Sequence, residues 1–386
     1  MLLNDALDAL KSKFKLKTDS EILPISMALG KTLANDVVAI KDLPCFDNSA
    51  LDGFAVKFED KDKPYKIVAS AFAGDKEQLS IGKNECVKIM TGAKMPKGAD
   101  TIIKIEDCVV EGNFIKAPNN LKKGDGYRFK GEEVKIGEIL LKSGEAINTR
   151  GIMMLAAQGI SFINVKKQPS VGIYSSGNEI IEPWQRASED EIYNANAFGI
   201  AALLSSIGQD SSYLGIIKDG LSAVKQAFLN ATNYDIIICS GGASAGEADF
   251  MKIALSELGY NEIFSHIDIR PGKPCKAYEK DGKLVFVLPG NPMAAYVCMM
   301  MLVLPLLRED CFVMQNATNA QNLKVKSGRI NAIFGNIEND KFIATNDGKY
   351  GSGMIDHILK SAFIFLTSPD QSEILQNSEI SLIKLP

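Results

Sequence analysis

Residues 234–292 constrain the fold more than any other stretch. They open with Asp-Ile-Ile-Ile-Cys at 235–239, a β-branched apolar run short enough to be a strand buried on both faces of a sheet. Ser240, Gly241, Gly242, Ala243, Ser244, Ala245 and Gly246 follow, and then Glu247. Next, Phe250, Ile253, Ala254, Leu255 and Leu258 fall on one helical stripe that Gly259 ends. The order strand, glycine-rich turn, helix aims backbone N–H groups outward at the positive end of a helix, where a phosphate or other oxyanion binds. The same order also describes a plain strand-to-helix turn with no ligand, since the stricter phosphate fingerprints fix more positions. Two further strands, predicted at 262–269 and 283–289, each stop in a stiff turn: Arg270-Pro271-Gly272-Lys273-Pro274, and Pro289-Gly290-Asn291-Pro292. These turns are expected at one edge of the sheet, the carboxyl edge at which open α/β sheets take their ligands.

Residues 169–309 alternate strand and helix, with strands near 170–176 and 213–217 and helices near 195–206 and 221–229, which predicts a mostly parallel α/β domain. Ahead of it, residues 1–168 read as an amphipathic helix with Leu3, Leu7 and Leu10 on one face, a second helix near 25–39, and a β-rich insert at about 45–140. A helix at 150–158, with Thr149 as its N-cap and Gly159 past its end, closes this part. After residue 310 short alternating strands predict a small all-β, barrel-like carboxy-terminal domain over 310–386. The expected class is therefore a multidomain α/β protein.

Composition narrows the function classes. A net charge of −4 argues against nucleic acid as main partner. The most apolar run, 297–307, contains Pro305 and is too short to span a bilayer, so no membrane partner is expected, and Met299, Met300 and Met301 read as core. Seven cysteines without a CxxC pair fit a reducing, cytoplasmic setting, and residues 1–16 lack the apolar stretch of a signal peptide. His266 and His357 do not form a zinc-spaced cluster, and His266 reads as a structural residue within a strand. What remains is carboxylates beside anion-binding turns: Glu247 and Asp249 after the glycine-rich turn, Glu179 after the first α/β strand, and Asp47 and Asp52 upstream. A carboxylate beside a phosphate repels the ligand unless a cation bridges them or the carboxylate accepts hydrogen bonds from the ligand, and magnesium suits such sites. Asp47 also reads as a simple turn cap, and Asp52 and Thr91 as turn residues before Gly53 and Gly92. Lys273, on a rigid turn, is a point charge for phosphate or another oxyanion.

SGGASAGEADF at 240–250, RPGKP at 270–274 and LPGNP at 288–292 resemble the central domain of MoeA-type molybdopterin molybdenumtransferases, a fold shared with molybdopterin adenylyltransferases. DNSALDGFAV at 47–56 and IMTGAKMPKGAD at 89–100 resemble the amino-terminal region of the same family, which the small adenylyltransferases lack. The resemblance implies insertion of molybdenum from molybdate into adenylylated molybdopterin with loss of AMP, in molybdenum cofactor biosynthesis. It implies an elongated homodimer with a shared site, other cofactor-biosynthesis proteins as partners, and catalytic roles for Asp52, Thr91, Glu179, Asp249 and Lys273. Substrate would meet Ser240, Gly241, Gly242, Ser244, Gly246, Glu247, Pro271, Gly272, Pro289, Gly290 and Pro292, with Mg2+ on Asp249 and Glu179. The chain departs from the family at Asn178 and Asn194, where acids are common. An adenylyltransferase or nucleotide hydrolase on the same α/β domain, and a non-catalytic molybdopterin carrier or scaffold, are the alternative readings.

Overall fold

The computed structural model describes residues 1–15, 19–242 and 249–386. The chain divides into two compact units, one made of residues 22–165 and the other of residues 1–21 and 166–386. Helix α1 (Leu3–Lys13) buries Leu3, Ala6 and Leu10, a stripe at helical spacing, in the core of the second unit. The helix is thus packed with the α/β core rather than with the rest of residues 1–168.

In the unit of residues 22–165 the second expected helix is absent. Ile25–Met27 forms one 3₁₀ turn, after which Gly30 takes φ 77° and Thr32 and Leu33 make β-bridges to Ala146 and Val165. A six-stranded sheet follows: β1 (Gly53–Val56), β2 (Tyr65–Ala71), β3 (Glu85–Ile89), β4 (Thr101–Lys104), β5 (Val109–Glu111) and β6 (Phe114–Lys116), ordered β4-β1-β3-β2-β6-β5. Their side chains alternate between two cores. Phe54, Val56, Cys86 and Ile103 enter one, and Ala55, Val87 and Ile102 the other. Helix α2 (Thr149–Gln158) is capped by Asn148, whose side chain accepts the Gly151 N–H at 2.9 Å, so Thr149 is its first residue and not its cap.

The α/β part of the other unit runs β7 (Val171–Ser176), α3 (Asn196–Ser206), β8 (Ser212–Ile217), α4 (Leu221–Asn230), β9 (Ile236–Ser240), α5 (Phe250–Glu257), β10 (Asn261–Phe264), β11 (Ile269–Arg270), β12 (Lys276–Lys280), β13 (Lys283–Leu288) and α6 (Pro292–Cys298). The sheet is ordered β8-β7-β9-β13-β12-β10, with the first four strands parallel and β12 antiparallel to both of its neighbours. Ile236 and Ile238 of β9 enter the core shared with α1, α3 and α6, and Ile237 and Cys239 enter the core shared with α4 and α5, so both sheet faces are covered. Met299, Met300 and Met301 continue α6 through a π turn and are buried in that first core, as expected. The single strand predicted at 262–269 is two. β10 stays in the α/β sheet, the chain then breaks, leaving His266 exposed outside any strand, and β11 pairs instead with the carboxy-terminal part.

That part holds β14 (Met314–Asn319), β15 (Ile330–Glu338), β16 (Lys341–Ala344), β17 (Phe363–Leu366) and β18 (Glu379–Lys384). They pair β15-β16-β14-β18-β17, and β17 pairs back onto β15, so the sheet closes on itself around Ile333, Phe342, Phe365 and Leu382.

Candidate functional site

In-register parallel pairing fixes where the strands stop. Ser175 lies opposite Ser240, Ser240 opposite Leu288, and Ser176 opposite Ile217, so β8, β7, β9 and β13 all end at one edge. A cleft of ≈750 Å³ opens there, lined by Ser176, Glu179, Asn196, Asp219, Gly242 and Gly290 among others. A volume of this size suits a small-molecule ligand. Gly241 has φ +105°, and a Cβ there would lie 2.2 Å from the Ser176 carbonyl oxygen, so only glycine lets β9 leave the sheet beside β7.

Asn196, in the first turn of α3, ties this edge together: its Nδ2 donates to Ser240 Oγ (2.6 Å) and to the Gly290 carbonyl (2.7 Å). The Ser240 hydroxyl donates in turn to the Pro289 carbonyl at 3.3 Å, and the Gly241 N–H donates to the Leu288 carbonyl at 3.1 Å. Ser240 and Gly241 therefore shape the turn with groups already engaged. Gly242 is the first turn residue whose N–H has no carbonyl partner among the described residues. Ser244, Gly246 and Glu247 lie outside the described residues.

Asn194, where an acid was expected, is buried and uses both ends of its amide. Its Oδ1 accepts from the Ser175 hydroxyl (2.7 Å) and the Ala197 N–H (3.3 Å), while Nδ2 donates to the Tyr213 hydroxyl (2.8 Å), which donates to Glu182 (2.5 Å). A carboxylate could not donate to Tyr213. Asn178 and Asp219 clasp each other, the Asn178 N–H donating to Asp219 and the Asp219 N–H to Asn178 Oδ1. The Glu179 carboxylate, by contrast, accepts no hydrogen bond from any described residue and lines the cleft.

Asp249 is differently placed. One carboxylate oxygen caps α5 by accepting the Lys252 N–H at 3.0 Å, and the other is bound to Lys276, whose side chain is buried. Both oxygens of the expected metal ligand are thus engaged within the protein. No group of three or more His, Cys, Asp or Glu side chains gathers as a metal cage among the described residues.

The Arg270–Pro274 turn follows β11 and not a strand of the α/β sheet, a consequence of the break after β10. It still meets the site. Pro274, Pro289 and Asn291 line both the first cleft and a second of ≈540 Å³, which Arg270, Lys273, Lys324, Lys326, Arg329 and Lys349 make strongly positive against Asp347. Pro271 and Gly272 line this second cleft; a Cβ on Gly272 would lie 2.8 Å from Cys298 Sγ, so the turn packs on α6 while Lys273 stays exposed. Asn291 donates to Ser352 Oγ at 2.7 Å, tying down a carboxy-terminal loop whose Ser352 lines the second cleft and whose Gly353 and Ile355 line the first.

In the other unit, Asp52 Oδ1 accepts both the Thr91 N–H (2.7 Å) and the Thr91 hydroxyl (2.8 Å). These two bonds, the backbone one first, hold the exposed Asp52 carboxyl below the usual aspartate range. Asp47 accepts the Lys130 N–H at 2.8 Å and acts as the turn-holding residue its neighbours suggested.

Residues 1–159 match the MoeA N-terminal region (domain I and II), and residues 172–309 match the probable molybdopterin-binding domain. The chain is 32% identical over 311 residues to a molybdopterin molybdenumtransferase of Haemophilus influenzae, covering 80% of this chain and 77% of that one. The chain belongs to the MoeA family. A molybdopterin molybdenumtransferase of Staphylococcus aureus (strain Mu50) is 33% identical over 309 residues, covering 76% of this chain and 73% of that one. The crystal structure of the molybdopterin biosynthesis MoeA protein from Pyrococcus horikoshii OT3 superposes with a TM-score of 0.80 at 26% identity, covering all of both chains. In this MoeA-family chain, Asp52 and Thr91 fall within the matched amino-terminal region, and Glu179, Asn196, Ser240, Lys273 and Gly290 within the matched molybdopterin-binding domain. Asn196 and Asp219 were not among the expected site residues. The signal for Asn196 was its position just before the apolar face of α3, downstream of a strand end.

Proposed function

We infer that the chain inserts molybdenum from molybdate into adenylylated molybdopterin and releases AMP, completing molybdenum cofactor. The observation that carries this reading is the likeness to molybdopterin molybdenumtransferases over most of the chain, in a protein whose parallel strand ends open onto a cleft of ligand size. The substrate phosphates would lie at Gly242, which packs beside Met251 of α5 on the first cleft, and molybdate in the positive cleft at Lys273. Two molybdate oxygens leave as water when the dithiolene sulfurs bind, taking up the two thiol protons and two more from solvent, and one water is consumed in splitting the phosphoanhydride. The protein contributes orientation and fixed charge, since neither step needs a protein nucleophile.

Among the described residues the donor set does not form a protein-only magnesium cage. A magnesium ion held chiefly by phosphate oxygens needs one or two carboxylates, and Glu179, with Asp219 on the same cleft, would supply them. On this reading Asp249 keeps the start of α5 in place through its bonds to Lys252 and Lys276. Asp52 and Thr91 belong to the other compact unit, and the family resemblance supports a homodimer in which they complete the site of the partner subunit. Seven free cysteines fit a reducing, cytoplasmic setting, and no helix among the described residues is long and apolar enough to cross a membrane.

The test is purified protein with adenylylated molybdopterin and magnesium, with and without molybdate, following AMP and active cofactor. Both products, each dependent on molybdate, are expected. AMP released equally without molybdate would make the chain a nucleotide hydrolase or adenylyltransferase-like enzyme, and binding without AMP release would make it a carrier.

A further inference from the structure

One wall of the ≈750 Å³ cleft is a short parallel ribbon, Ile180–Ile181 beside Ile192–Tyr193, and Ile180, Ile192 and Tyr193 line the cleft. The segment that joins the two halves of this ribbon carries Trp184, the single tryptophan of the chain. Trp184 is 69% exposed, yet it stands edge-on to Phe198 at 6.2 Å between ring centroids, and Phe198 packs on Tyr213 at 5.9 Å. Its turn is held from several sides. The Glu182 N–H donates to Gln185 Oε1 (3.1 Å), the Gln185 N–H to the Glu182 carbonyl (3.0 Å), the Tyr213 hydroxyl to the Glu182 carboxylate (2.5 Å), and the Ala187 N–H to the Tyr193 hydroxyl (3.3 Å). Single exposed apolar side chains are ordinary, but here Ile192 and Tyr193 on the ribbon, Trp184 on the segment joining its strands and Phe198 beside Trp184 on α3 are all at least 45% exposed, and the first two line the cleft.

We propose that Trp184, beside Phe198 and just beyond the ribbon that lines this cleft, is a stacking platform for a planar nitrogen-heteroaromatic ring of a substrate that reaches out of the cleft past that ribbon. The proposal rests on the function inferred above, whose substrate carries two such rings, adenine and pterin, on either side of its phosphates. The phosphates are placed at the strand ends, so a ring beside them extends toward a wall of the cleft. An aromatic held in place loses little freedom on binding, and π-stacking needs no base-specific donors, which the exposed faces of Trp184 and Phe198 do not offer. A turn with this many internal hydrogen bonds keeps the indole presented without help from the ligand.

Because Trp184 is the only tryptophan, the protein's indole emission reports on this position alone. The experiment titrates wild-type protein with AMP, with molybdopterin and with adenylylated molybdopterin, and measures turnover of Trp184→Ala and Trp184→Phe alongside. Expected are saturable quenching by adenylylated molybdopterin, a rise in KM of roughly 10- to 100-fold in Trp184→Ala with a smaller change in kcat, and substantial recovery in Trp184→Phe. Quenching by AMP assigns the ring as adenine, and quenching by molybdopterin assigns it as pterin; either supports the platform. Normal turnover with unchanged emission and an unchanged KM in Trp184→Ala would overturn the platform and leave the function standing. Absence of both AMP release and binding in every protein, wild type included, would defeat the functional reading and the platform with it. Far-UV spectra and urea unfolding of the variants keep a folding defect distinct from a lost contact.

Discussion

Two hydrogen bonds from Thr91 set the charge of Asp52. A carboxyl held below its ordinary range stays ionised as the pH falls past the value at which a free aspartate, near ~3.9, takes up its proton. Any stability these bonds give is present above that value and is lost only as the pH falls through the lower, folded value. Thr91→Val removes the hydroxyl bond and keeps the N–H, so the Asp52 carboxyl should titrate at a higher pH than in the wild type, read from its side-chain carbon resonance. An unchanged titration would show that the hydroxyl does not act on Asp52. Asn196→Ala should raise KM for the adenylylated pterin and cost about 1–2 kcal/mol in urea unfolding, because the Gly290 carbonyl and the buried Ser240 hydroxyl each lose a partner. Wild-type KM in that variant would mean the strand ends hold their shape without it. Asp52 and Thr91 were each legible beside a glycine at a turn, but their pairing spans 39 positions and only the sheet β4-β1-β3 brings them together. Asn194 read as a lost acid because its worth lies in donating to Tyr213, a contact that no spacing reveals.

At the scale of elements, the start of α5 hangs on a carboxylate between the helix N-terminus and a buried lysine. Lys276→Met leaves Asp249 with its charge in a largely buried setting and should cost about 3 kcal/mol or more in urea unfolding, whereas a surface pair would cost little. A loss below ~1 kcal/mol would show the pair to be solvated, as surface pairs are. If Glu179 and not Asp249 meets magnesium, Glu179→Gln should raise the magnesium concentration needed for half-maximal AMP release and leave the unfolding midpoint near the wild type. An unchanged magnesium dependence would remove Glu179 from the cation. The alternation of strands and helices over 169–309 was legible because both sheet faces are buried and the runs are uniformly apolar. The break between β10 and β11 was not. Ile267 and Ile269 are as apolar and buried as strand residues would be, and the chain leaves one sheet for another without changing composition. The helix expected near 25–39 failed on Gly30, whose left-handed φ ends the turn before tertiary bridges take over.

For the whole molecule, Asp52 and Thr91 belong to one compact unit and the two clefts to the other. If partner subunits share sites, Asp52→Asn and Lys273→Ala homodimers should each be severely impaired, and re-equilibrated mixtures should regain activity, since one site of a mixed dimer carries neither substitution. Mixed dimers that form and stay as inactive as their parents would confine Asp52 to its own chain. The central claim is that the chain couples loss of AMP to capture of molybdenum. It is tested most directly by a single-turnover time course in which AMP and pterin-bound molybdenum are counted in the same samples. The account predicts equal amounts of the two, rising together and only when molybdate is present; AMP that accumulates with no molybdenum on the pterin would contradict it.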